Sequence, residues 1–71
     1  LYYRFQTGAV RSRENADSFL YQLLYRGYPA YTLMDGELFK VQVGAYQQLG
    51  DAIRMEQRLR EDGYSTLLVT K

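Results

Sequence analysis

The sequence predicts an α+β fold of the ferredoxin-like kind: elements in the order βαββαβ, forming a four-stranded antiparallel sheet with two helices on one face. Three observations point there. The chain matches itself without gaps at an offset of 36 residues, so that Gln6, Gly8, Ala9, Ala16, Leu23, Gly27 and Tyr28 recur as Gln42, Gly44, Ala45, Ala52, Leu59, Gly63 and Tyr64. Each half opens on an alternating run rich in aromatic and β-branched residues and continues with apolar residues at helical spacing. Between the halves, Asp35-Gly36 lies between two alternating runs, a strong hairpin signal.

Taken in order, "YYRFQTGAV" reads as the first strand, and Ser12 is suited to cap the helix that follows, with Glu14 in its first turn. Ala16, Phe19, Leu20 and Leu23 fall on one face of that helix. Gly27 ends it, where a left-handed residue closes a helix. "YPAYTLM" is the second strand, and Pro29 at its head suits a sheet edge. "ELFKVQVGAY" is the third strand. Ala52, Met55 and Leu59 mark the second helix, which has no comparably good N-cap and stops at Gly63. "YSTLLVT" is the last strand. The repeat units span about 3–33 and 39–69 within a single domain, 1–71, and the strands that open the units form the central pair. One face of the sheet is left uncovered.

Size and composition fit one modest core: 71 residues, 46% hydrophobic and 24% charged. No apolar run approaches the roughly 20 residues a membrane-crossing helix needs. The chain opens on Leu1 and is expected to be a segment of a longer protein, with any targeting signal outside it. It has no cysteine and no histidine, which excludes disulfides and thiolate or imidazole metal sites. A net charge of +1 makes no global case for nucleic acid or an anionic membrane. The eight tyrosines are unusual for this length, and each offers an apolar face with a polar tip.

Strand alternation divides the side chains between the two faces. Tyr3, Phe5 and Thr7, with Phe39, Val41 and Val43, form the more apolar set and are expected under the helices. The open face then carries Tyr2, Arg4, Gln6, Leu38, Lys40 and Gln42 from the central strands. From the flanking strands it is expected to carry Thr32, with Ala30 a further candidate, and Thr66 and Leu68. Two cations, no carboxylate, amides that both donate and accept, and a few apolar groups suit a polar, hydroxyl-bearing ligand with an acid group. A polar face simply left in water would look similar.

These residues resemble the SPOR domain, the sporulation-related repeat family found at the ends of bacterial cell-wall and cell-division proteins. The resemblance covers nearly the whole chain. It rests on Phe5-Gln6-Thr7-Gly8-Ala9 with Gly27-Tyr28, and on Val41-Gln42-Val43-Gly44-Ala45 with Gly63-Tyr64. It implies an RNP-like βαββαβ fold that binds peptidoglycan, especially glycan strands stripped of stem peptides, at division septa or in sporulating cells. It also implies a monomer in the bacterial cell envelope, with no cofactor. Family binding positions fall on Gln6, Ala9, Lys40 and Leu68, with Leu38 near an aromatic of some members. Ala9 cannot donate a hydrogen bond and Leu38 has no ring for a sugar to stack on, which leaves Tyr2 as the candidate ring.

The resulting expectation is that Arg4 and Lys40 attract the lactyl carboxylates of N-acetylmuramic acid, while Gln6, Gln42, Thr32 and Thr66 bond to hydroxyls and acetamido groups. Two other classes stay open. An RNA-binding module of RRM type shares the topology but places aromatics outward on its central strands, where this chain has Arg4, Gln6, Lys40 and Gln42. A protein-interaction module would use Tyr21 and Tyr25, one helical turn apart and opposite the core stripe. Catalysis is not expected. The carboxylates lie at the hairpin (Asp35, Glu37) or in helical segments among basic neighbours, such as Glu56 and Arg60.

Overall fold

The computed structural model describes residues 1–70. Its elements are β1 (Tyr3–Val10), α1 (Arg13–Tyr25), β2 (Ala30–Asp35), β3 (Leu38–Tyr46), α2 (Leu49–Glu61) and β4 (Leu67–Thr70). The strands form one antiparallel sheet in the order β2-β3-β1-β4, so the two strands that open the repeats are central, as expected.

The core is where the helical stripes meet the apolar side of the sheet. Ala16 and Leu23 of α1, and Ala52 and Leu59 of α2, are buried with Phe5, Val41, Val43 and Tyr28. Small alanines let both helices approach the same sheet face closely. Each fully buried Leu or Val contributes about 1.5–3 kcal/mol relative to exposure. Phe19, Tyr28 and Tyr64 then fill the space between the helix ends, with ring centroids 5.8–5.9 Å apart.

The repeated Leu…Gly-Tyr pattern is a pair of identical helix ends. In α1, Gly27 N–H donates to Leu24 and Tyr28 N–H to Leu23; in α2, Gly63 donates to Arg60 and Tyr64 to Leu59. Both glycines have positive φ, 88° and 86°, as this closing motif requires. The aromatic that follows each glycine drops into the core beside the leucine that accepts its N–H. At the other end of α1, Ser12 Oγ accepts from Asn15 N–H at 3.2 Å, whereas Gln48 caps α2 without a side-chain bond.

Each central strand carries a bulge just after its glutamine. In β1 the register steps from Gln6↔Gln42 to Gly8↔Val41, leaving Thr7 as the extra residue. Thr7 is buried and its hydroxyl donates to the Val41 carbonyl at 3.3 Å. In β3 the step lies between Val43, opposite Phe5, and Tyr46, opposite Tyr3. Gly44 absorbs it at φ 76°, and a Cβ there would collide with the Tyr46 ring.

The hairpin differs from expectation by one residue. Asp35 pairs with Leu38, so the two-residue loop is Gly36-Glu37, with Gly36 at φ 60°. Asp35 is therefore the last residue of β2 rather than part of the turn.

Candidate functional site

Register against the buried central residues decides which side chains stand on the open face. Gln6 and Gln42 pair directly across β1 and β3, and the pseudo-twofold of the repeat passes between them. Arg4 lies on the same side of β1, while Lys40 and Leu38 continue that side along β3. Ala9 pairs with Lys40 and so joins the open face. Strict alternation from Gln6 would have turned Ala9 under the helices; the bulge at Thr7 reverses it. Gly8 takes the covered side instead, where a Cβ would stand 3.1 Å from the Phe19 ring.

The flanking strands require correction. Thr32 pairs with Val41 and Ala30 with Val43, so both lie on the covered side. Thr32 borders a groove with Arg13 and Asp17 of α1. Leu68 pairs with Phe5 and borders a small apolar groove with Ala52 and Ile53 of α2. Thr66 precedes the paired part of β4. The residues that do occupy the open face are Tyr31 and Leu33 from β2, and Leu67 and Val69 from β4, opposite Gln42, Lys40, Gln6 and Arg4 respectively. The sequence-based choice turned the more polar set of each edge strand outward. Edge strands are less deeply covered, so polarity does not reveal their inward side.

The charges are also arranged differently. Asp35 ends β2 on the open face, and its carboxylate takes the Lys40 ammonium at 2.7 Å. The face therefore does hold a carboxylate, and Lys40 is already paired. Arg4 has no ion pair among the described residues; its Nε is buried with no hydrogen-bond partner, and its guanidinium lies 5.6 Å from the Tyr2 ring centroid. Tyr2 is exposed and supplies a ring at this end of the face.

Between these groups is a shallow pocket of about 290 Å³, lined by Arg4, Gln6, Leu33, Lys40, Gln42 and Val69 among others. Gln42 forms its floor, only 4% exposed, while Gln6 is half-buried. The two carboxamides approach to 3.3 Å. Behind Gln42 stands Tyr31, its Oη 3.4 Å from Gln42 Oε1 and 2.8 Å from the Gly44 carbonyl oxygen. The aromatics of the central strands, Tyr3, Phe5, Phe39 and Tyr46, all pack in or against the core, so those strands offer no outward ring for a base to stack on. Tyr21 and Tyr25 are exposed on α1, away from this pocket.

A model of the SPOR domain matches residues 2–70. The chain belongs to the SPOR domain family. Its fold is closely similar to the solution structure of the peptidoglycan binding domain of the B. subtilis cell wall lytic enzyme CwlC. That match has a TM-score of 0.86 and 27% identity, over 99% of this chain and 89% of that one. The fold is shared with the SPOR domain of RlpA from Pseudomonas aeruginosa, at TM-score 0.75 and 18% identity over 100% of both chains. It is also shared with the SPOR protein DedD, at 0.76 and 19%, over 96% of this chain and 38% of that one. A comparison with curated protein sequences finds no match. Against this SPOR fold, the residues missed by sequence reasoning are Tyr31, Leu33, Asp35, Leu67 and Val69. Counting back from a Gly36-Glu37 hairpin would have found the first three, because that loop places Tyr31 opposite Gln42.

Proposed function

We propose that this SPOR domain is a non-catalytic module that binds peptidoglycan glycan strands on the open face of its sheet. It prefers strands stripped of stem peptides and so holds an attached protein at septal or sporulating-cell wall in the bacterial envelope. The observation that carries this is the buried, unpartnered Nε of Arg4 beside the Gln6–Gln42 couple in one shallow pocket. The likeness to a domain described as peptidoglycan binding supports the ligand class.

The selectivity follows from the chemistry of the ligand. In intact peptidoglycan the lactyl group of N-acetylmuramic acid is tied up in an amide to the stem peptide. Removing the peptide creates a carboxylate, and among the described residues Arg4 is the cation on this face without an ion-pair partner to take it. Lys40, held by Asp35, serves more as an N–H donor to sugar hydroxyls than as a counter-charge. Gln6 and the exposed edge of the pocket meet hydroxyls and acetamido groups, while Leu33, Leu38, Val69 and the Tyr2 ring pack on pyranose faces. A charge-assisted contact contributes about 1.5–3 kcal/mol and a neutral one about 1. One monomeric domain therefore binds modestly, and attached modules add avidity.

Co-sedimentation with purified cell-wall sacculi, before and after amidase treatment, tests this. More protein should pellet after the peptides are removed. Equal pelleting would remove the preference for stripped strands, and no pelleting would remove the function.

A further inference from the structure

We infer that Tyr31 fixes which end of the Gln6 carboxamide faces the ligand, and that the end presented is the carbonyl oxygen. The identity of the ligand rests on the function proposed above; the orientation of Gln6 does not.

A phenol has a single proton to donate. Tyr31 Oη has two oxygens within reach, the Gly44 carbonyl at 2.8 Å and Gln42 Oε1 at 3.4 Å. The carbonyl can only accept and is much the nearer, so it takes the proton. Tyr31 then turns only lone pairs toward Gln42, and an amide oxygen opposite them would set two acceptors in contact around a buried side chain. The oxygen and nitrogen of a carboxamide occupy nearly equivalent places, and the surrounding network decides between them. The structure sets Gln42 Nε2 against Gln6 Oε1 at 3.3 Å. Turning both carboxamides over makes the network consistent, with Gln42 Nε2 donating to Tyr31 Oη and Gln42 Oε1 accepting from Gln6 Nε2.

Donors then run in one direction, from Gln6 to Gln42 to Tyr31 to Gly44, and Gln6 Oε1 is left for the pocket beside Arg4. The repeat shows why the direction is not arbitrary. A glutamine pair on a twofold axis has no preferred sense. The residue flanking Gln42 is Tyr31, whereas its repeat counterpart flanking Gln6 is Leu67, which has no hydroxyl. One phenol breaks the symmetry of the couple. Gln6 thereby reads a hydrogen-bond donor on the glycan, a hydroxyl or an acetamido N–H, and a carboxylate is turned away from it toward Arg4. Tyr31 is a positioning residue and need not touch the sugar.

The test is NMR on the isotope-labelled domain. In the free wild-type protein, the Gln42 side-chain NH2 protons should show nuclear Overhauser contacts to the Tyr31 ring, and the Gln6 NH2 protons to Gln42. In Tyr31→Phe, which keeps the ring, the backbone spectrum should be retained. The NH2 resonances of both glutamines should shift, and affinity for stripped glycan should fall about three- to ten-fold. Gln42 NH2 contacts confined to Gln6, with Gln6 NH2 facing solvent, would overturn the orientation; so would unchanged NH2 resonances in Tyr31→Phe. The first arm uses no glycan, so the expected contacts in a protein that fails to bind any glycan would uphold the relay and overturn the proposed function alone.

Discussion

Gln6 and Gln42 face each other across the central strand pair with their carboxamides 3.3 Å apart, yet only Gln6 is open to a ligand. The recurrence of glutamine at the two equivalent positions thus has unequal consequences. Gln6→Ala should lower affinity for stripped glycan about five-fold, from one lost hydrogen bond. It should cost less thermal stability than Gln42→Ala, since it takes a partner from Gln42 but empties no buried side-chain position. Gln42→Ala should lower both, because it opens a cavity in the pocket floor and strips Gln6 and Tyr31 of a partner. Calorimetric titration and thermal melts distinguish the two variants.

Arg4 and Lys40 are expected to part company in the same way. Arg4→Gln should cost about ten-fold in affinity and flatten its salt dependence, whereas Lys40→Gln should cost less, because Asp35 already offsets that charge. Asp35→Asn should raise affinity by releasing Lys40. Titrations at low and high salt measure all three, and an effect of Lys40→Gln larger than that of Arg4→Gln would reverse the assignment.

The edge strands give a test of facing. Thr32→Ala and Leu68→Ala, on the covered side, should leave glycan affinity unchanged, while Leu33→Ala and Val69→Ala should weaken it several-fold. Binding isotherms for the four variants would show the opposite order if the ligand reached the helix side.

Gly44→Ala should destabilise the domain by about 2 kcal/mol or more, measured by urea unfolding. The change combines a left-handed φ of 76° with a collision against the Tyr46 ring. Gly36→Ala shares the positive φ but meets no neighbour, and should cost less.

Tyr28 should make stability fall at high pH. Burial, together with the hydrogen bond to Asp62 and that carboxylate's charge, pushes its hydroxyl from 10.0 up to about 12. The folded state therefore holds this proton more tightly than the unfolded chain does. Its contribution is fully present below pH 10 and is lost as pH rises from there to about 12. Wild type should be more stable than Tyr28→Phe at neutral pH, and the gap should narrow across that interval in thermal melts. The other tyrosines are common to both proteins and cancel in the difference.

Much of the fold was legible because its determinants are local. Ser12, Gly27 and Gly63 mark helix ends through short-range hydrogen bonds, and the apolar stripes of both helices are visible in the periodicity. The central strands were legible because Phe5, Val41 and Val43 are emphatically apolar. Leu68 shows where this stops: its side is set by pairing with Phe5, more than sixty residues away in sequence, and no local signal carries that. Thr32 was misplaced because the more polar set of its strand was turned outward, although a loop at Asp35-Gly36 or at Gly36-Glu37 alike sets it opposite a covered residue of β3. Reading Asp35 as a turn residue hid it as the partner of Lys40. Ala9 shows the reverse case, where the family resemblance named a position that alternation alone would have buried.

The most direct test of the binding face is an NMR titration of the labelled domain with glycan strands stripped of peptide. Perturbations should cluster on Arg4, Gln6, Ala9, Leu33, Lys40 and Val69. Shifts confined to α1 and α2, around Tyr21 and Tyr25, would contradict a ligand site on the open sheet.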